Sequence, residues 1–176
     1  PQALAKVLGG LPATFPLPIL VVQHITASFL DGFASWLGTV CPFPAALAAD
    51  GETPRPGRIY LPPADHHLRV EGRRLRLDRG EPVCVQRPSG TVLFRSMARS
   101  FGAGALCVLL TGMGEDGAQG LAEVRAAGGY TIAEDESTAV VYGMPGAAAR
   151  LGAACELLPL PAIAPRVIEL AEGIGH

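Results

Sequence analysis

The sequence predicts an α/β fold, a doubly wound, mostly parallel sheet with helices on both faces and a short antiparallel excursion around residues 57–85. Three observations carry this reading. Strand-like and helical stretches alternate from the start of the chain, and residues 105–133 read as a strand–helix–strand unit. Hydrophobic residues make up 49% of the 176 residues and charged ones 17%, so a large core must be enclosed between layers. No repeat, low-complexity tract or long linker divides residues 1–176, which read as one domain.

Element by element, Gln2 to Leu8 reads as a helix and Ile19 to Gln23 as a short strand. Phe29, Phe33, Trp36 and Leu37 then restore helical spacing across Ser28 to Leu37. Pro54, Pro56 and Gly57 mark a loop. Beyond it, Arg58 to Leu61, His67 to Val70 and Arg74 to Leu77 alternate apolar with polar and are divided by Pro62, Pro63 and Gly72. Three such segments predict antiparallel strands with one wet face. Ser89 is suited to cap a helix running through Val92, Leu93, Met97 and Phe101. Ala105 to Leu110 has the composition of a buried strand, followed by a glycine-rich turn at Gly112 to Gly117. A helix from Ala118 to Ala127 ends at Gly128 and Gly129, and the strand Tyr130 to Ala133 comes next, which makes the pairing parallel. A strand at Ala139 to Tyr142, a helix from Pro145 to Leu151 and a last helix from Ala162 to Ala171 complete the expected order.

Composition excludes several classes of function. Lys and Arg number 14 against 16 Asp and Glu, a net charge of −2, which rules out a broad electrostatic grip on nucleic acid. The mean hydropathy of +0.32 is high, and no formal charge falls between Val7 and Leu30. Pro12, Pro16 and Pro18 interrupt that stretch, however, and Gln23, His24, Thr26 and Ser28 would need partners in hydrocarbon, so it is no membrane span. It also lacks the layout of a secretory signal; the chain reads as soluble, unexported and cytoplasmic. Cys41, Cys84, Cys107 and Cys155 form no metal-ligand spacing and no disulfide framework, and are expected to be buried hydrophobes. Neither a metal nor a cofactor is expected.

The chemistry-bearing residues cluster at predicted strand ends. Gly112 to Gly117 matches G-x-G-x-x-G, and Asp135 stands near the acidic position of a dinucleotide fingerprint. Glu115 and Asp116 argue against nucleotide, since two carboxylates occupy the place where helix amides would receive a pyrophosphate. Two readings of Asp116 stand side by side: a functional acid at the carboxyl edge of the sheet, or a cap for the following helix. His24 ends the first strand run and emerges at the same edge. A histidine oriented by a carboxylate supplies two members of a nucleophilic triad. The nucleophile is not evident, because Ser28, Ser35, Ser89, Ser96, Ser100, Ser137 and the cysteines lack a glycine-flanked elbow and read as caps or helix surface. His66 and His67 come after Asp65 without metal spacing, and Arg87 suits either an anion or backbone carbonyls.

Four motifs in order carry a family resemblance across nearly the whole chain: Val21-Val-Gln-His24, Gln86-Arg-Pro-Ser89 with Val92-Leu-Phe94, Leu110-Thr-Gly-Met-Gly-Glu-Asp-Gly117, and Asp135-Glu136 with Val140-Val-Tyr-Gly-Met-Pro145. The chain resembles the catalytic domain of the bacterial chemotaxis protein-glutamate methylesterase. The resemblance implies a serine hydrolase that demethylates glutamate methyl esters on chemoreceptor signalling helices and often deamidates glutamines there. It implies His24 as general base, Asp116 as the residue that orients the imidazole, and Met113 as an active-site neighbour. It further implies a receiver domain as partner, regulating the esterase by phosphorylation.

The family serine sits in a Ser-x-Gly-Gly turn after the first strand, and Pro1-Gln-Ala-Leu4 resembles the segment just past that turn. The expectation is therefore that this strand and serine lie upstream of Pro1, since a sheet without them would expose its centre. Thr26-Ala27 stands where the family commonly has prolines, and Gly90-Thr91 where an acidic residue is usual. The alternative is a noncatalytic, receptor-binding or regulatory module of the same fold.

Overall fold

In a computed structural model, which describes residues 1–174, helices and strands alternate along the chain. The first half holds α1 (Gln2–Gly9), β1 (Ile19–Leu20), α2 (Ala27–Val40), β2 (Ala45–Leu47), β3 (Ile59–Leu61), β4 (His67–Glu71) and β5 (Arg74–Asp78). The second holds α3 (Gly90–Phe101), β6 (Leu106–Leu109), α4 (Ala118–Ala126), β7 (Tyr130–Glu134), α5 (Met144–Arg150), β8 (Glu156–Leu158) and α6 (Leu160–Ile174).

Two three-stranded parallel sheets form, in the orders β1-β3-β2 and β6-β7-β8, and β4 and β5 make an antiparallel hairpin. Ile19 and Ala45 both stand opposite Ile59, while Leu106 stands opposite Tyr130 and Ile132 opposite Glu156. Side-chain alternation divides the core between the two faces. Ile59, Leu61 and Ile132 pack with Val7 of α1, Leu37 of α2 and Ile163 of α6. Cys107, Leu109 and Ala133 point the other way, towards Leu121 and Val124 of α4 and Ala147 and Ala148 of α5. Tyr60 joins Leu68, Leu75 and Leu93, which seats α3 and the hairpin on that second face. Helices thus cover both faces, as expected of a doubly wound fold.

The edges of β1 and β6 face a shared cleft. Its volume is about 250 Å³, and residues 19–22 and 106–110 run along its walls. Leu8 and Leu11 close one side of it, Leu93 and Met97 of α3 the other, and His24 and Asp116 lie at its carboxyl-edge end.

Three expectations need correction, and two strands come as additions. The segment Arg58 to Leu61 is not part of the antiparallel excursion: Ile59, Tyr60 and Leu61 are all buried and form the central strand of a parallel sheet, so the excursion shrinks to residues 67–78. A strand buried on both faces reads as a continuous apolar run, and three residues are too few to distinguish that from alternation. Residues 139–142 are a loop with one isolated bridge, Gly112 to Tyr142, because Thr111 and Gly112 take up the amide and carbonyl of Val141. The short β2 and β8 went unread in sequence, one alanine-rich and the other set among small residues. Of the cysteines, Cys41 and Cys107 are buried, but Cys84 and Cys155 are exposed.

Candidate active site

His24 comes just after β1, and Asp116 lies in the loop that leaves β6, so two parallel-sheet strands deliver the pair to the carboxyl edge of the fold. The His24 ring donates from Nε2 to Oδ2 of Asp116 at 2.7 Å. That bond uses Nε2 and leaves Nδ1 as the nitrogen free to accept a proton. The ring is turned the opposite way round from the serine-protease triad, where Nδ1 meets the carboxylate.

Asp116 is only 3% exposed, and its charge is held by several donors. The Ser89 hydroxyl donates to Oδ1 at 2.6 Å, the Gly90 amide to Oδ2 at 2.8 Å and the Thr91 amide to Oδ1 at 3.3 Å. The carboxylate therefore sits at the N-terminus of α3, where unpaired amides and the helix dipole favour an anion. Burial pushes the Asp116 pKa up, but the bonds from His24, Ser89 and Gly90 together outweigh it and hold the carboxyl below its usual range. The capping reading of Asp116 is met in part. It does serve a helix terminus, but that of α3; its own following helix α4 begins at Ala118, behind Gly117 with its φ of 93°, and has no acid in its first turn.

Ser89 does more than the sequence suggested. Its hydroxyl accepts from the Val92 amide as the α3 cap while donating to Asp116. Its own amide donates to Nδ1 of His67, whose Nε2 bonds to the Glu81 carbonyl, so both ring nitrogens are engaged. Glu134, fully buried, accepts from the Thr111 amide at 2.9 Å and the Thr138 hydroxyl at 3.0 Å, and so ties the Asp116 loop to the loop after β7. Nothing local marks these duties in sequence, because Asp116 lies 27 residues from Ser89, and Thr111 lies 23 residues from Glu134.

Other candidates resolve into structural duties. Arg87 donates to the carbonyls of Arg79 and Gly80 and to Asp65, which meets the carbonyl alternative. Asp135 accepts from the Ser137 amide within its own turn. Ser96 bridges the Val70 amide and the Leu93 carbonyl, and Ser100 donates to the Val70 carbonyl. His66 bonds to the Ala64 carbonyl. Met113 occupies the same loop as Asp116 and is 81% exposed. Among the described residues no cluster of three or more His, Cys, Asp and Glu is placed to hold a metal ion, and no helix is long and apolar enough to cross a membrane.

A histidine paired with a buried, ionised carboxylate at the end of a cleft can take a proton from a hydroxyl and return it to a leaving group. Comparisons with known proteins agree with that chemistry. The family model described as CheB methylesterase matches residues 1–167. Protein-glutamate methylesterase/protein-glutamine glutaminase 2 of Paramagnetospirillum magneticum is 58% identical over 173 residues, covering 98% of this chain and 49% of that protein. Protein-glutamate methylesterase/protein-glutamine glutaminase 4 of Myxococcus xanthus is 48% identical over 176 residues, covering 99% and 50%. The chain spans about half the length of the curated relatives it matches. The crystal structure of the Thermotoga maritima CheB methylesterase catalytic domain superposes with a TM-score of 0.90 at 35% identity, covering 96% of this chain and 92% of that one.

Proposed function

The chain belongs to the CheB methylesterase family, and from that premise we propose that it hydrolyses glutamate methyl esters, and deamidates glutamines, on the cytoplasmic signalling helices of chemoreceptors. The observation that carries this reading is the 2.7 Å bond from His24 Nε2 to Asp116, with Nδ1 left for the reaction. His24 is the general base, and Asp116 orients its ring and stabilises the imidazolium. The attacking serine is supplied by a strand that precedes Pro1 and lies between β1 and β6. Support for that placement is the cleft itself, whose two long walls are parallel-sheet edges and whose end is His24.

The steps balance as an ordinary acyl transfer. The serine Oγ attacks the ester carbonyl carbon while its proton passes to Nδ1 of His24. The tetrahedral oxyanion then collapses, the C–O bond to the methoxy group breaks, and the imidazolium protonates methoxide to methanol. Water attacks the acyl-serine, again losing a proton to Nδ1, and the carboxylate leaves as serine is restored. With a glutamine the leaving group is ammonia. Location in the cytoplasm and control by a receiver domain belong to the same proposal; the half of each relative beyond the matched region has room for such a domain.

The test is methanol release from methylated receptors by the full-length protein. His24→Ala is expected to lower it by a factor of about a thousand or more while leaving the fold intact by circular dichroism. Receptor binding without methanol release by the unaltered protein would instead mark a noncatalytic module.

A further inference from the structure

The four most exposed large hydrophobic side chains among the described residues are Val85 at 92%, Val140 at 88%, Met113 at 81% and Phe29 at 66%. All four stand on segments that frame His24 and Asp116. Phe29 lies in the first turn of α2, just after His24, and Met113 shares the loop of Asp116. Val140 precedes Val141, whose carbonyl accepts from the Gly112 amide and the Thr111 hydroxyl, so its loop is bound to that of Met113. Val85 lies four residues before Ser89. Ser89 caps α3 and donates its hydroxyl to Asp116, so the Val85 turn leads directly into the site. Scattered single hydrophobes on a surface need no account, but the barest four converging on one site do.

The Val85 turn adds a second, independent observation. Val83 and Gln86 exchange both backbone hydrogen bonds, at 3.0 and 2.9 Å, and enclose Cys84 at φ 51° and Val85 at φ 56°. A two-residue turn with both centres left-handed favours Asn-Gly, and a β-branched residue there is an outlier. Val85 is thus held against its backbone preference and also kept bare to water. Such outliers gather where a surface is shaped for function.

We propose that Phe29, Val85, Met113 and Val140 form a docking rim for the apolar side of the receptor helix that carries the esterified glutamate, with Val85 as its specificity-determining contact. This rests on the methylesterase reading. A glutamyl side chain spans only about 5 Å from Cα to its carboxyl oxygens, so the backbone that carries it must descend to within side-chain reach of the rim when the ester meets His24. The rim is made of loops and a helix start, and none of its four side chains lies on a strand. Side-chain packing against an amphipathic helix fits it.

The experiment compares the full-length protein with Val85→Gly, Val140→Ser and, as a distant control, Leu151→Ser at the far end of α5. Methanol release is followed from methylated receptor membranes and from the small ester N-acetylglutamate γ-methyl ester, which cannot span the rim. Glycine suits the turn, so Val85→Gly is expected to raise the melting temperature while raising the receptor KM about fivefold to tenfold, with kcat within twofold. Val140→Ser is expected to raise the receptor KM in the same direction, and Leu151→Ser to leave it alone. Turnover of the small ester should stay close to that of the unaltered protein in every variant. An unchanged receptor KM in both valine variants overturns the docking rim while the methylesterase reading stands. A rise in receptor turnover at unchanged KM also overturns it, marking the rim as a seat for another part of the same protein. If the unaltered protein releases methanol from neither substrate, the methylesterase reading itself fails and the rim with it.

Discussion

Asp116 keeps a full charge while almost wholly buried because three donors besides His24 converge on its two oxygens. Ser89 is the one whose removal is most informative, since it both bonds the carboxylate and caps α3. Ser89→Ala is expected to lower stability at neutral pH by about 2 kcal/mol, read by chemical denaturation. The direction of the Asp116 shift sets the pH dependence. Its native pKa lies below its unfolded value, so its contribution is complete above the ordinary carboxylate range and is lost as pH falls through the native value. Losing the Ser89 donor raises that native value, and acid unfolding should begin at a higher pH than in the unaltered protein. An unchanged acid transition would mean that the Gly90 and Thr91 amides suffice. In sequence Asp116 and His24 were legible because each follows a strand in a recognisable motif, whereas the service of Ser89 to Asp116 spans 27 residues and leaves no local pattern.

Among the elements, the contact between α3 and α4 decides where that carboxylate sits. Gly120 lets the two helices close, for a Cβ there would lie 2.8 Å from both Cα and O of Thr91 and 2.9 Å from the Phe94 Cβ. Thr91 in turn accepts from the Gly117 amide at 2.9 Å, locking the end of the Asp116 loop to the start of α3. On helix propensity alone Gly120→Ala should stabilise by about 0.5–1 kcal/mol. The backbone clash reverses the sign, and a loss of about 1–3 kcal/mol is expected by thermal or chemical denaturation, together with weaker methanol release. A gain in stability would show that the helices part without strain. The helices α3 and α4 were legible because apolar spacing behind a serine cap marked the one and a glycine stop marked the other. The three-residue strands β2, β3 and β8 were misread or unread, since so short a segment takes its pairing from its neighbours and carries too few residues to show a period.

For the molecule as a whole, alternation of strand and helix with a core rich in small and branched residues was enough to read a doubly wound architecture, and the ordered motifs were enough to read its family. The meeting of His24 with Asp116 over a separation of 92 residues comes from two strands that share one carboxyl edge. The central claim is that this pair activates a serine carried between β1 and β6. The most direct measurement is covalent labelling of the full-length protein with a phosphonylating serine reagent, then peptide mass mapping, with His24→Ala alongside. The expected result is one label per chain, on a serine that precedes Pro1, and its disappearance in the variant. Labelling instead at Ser28 or Ser89, or at the upstream serine irrespective of His24, would contradict the claim.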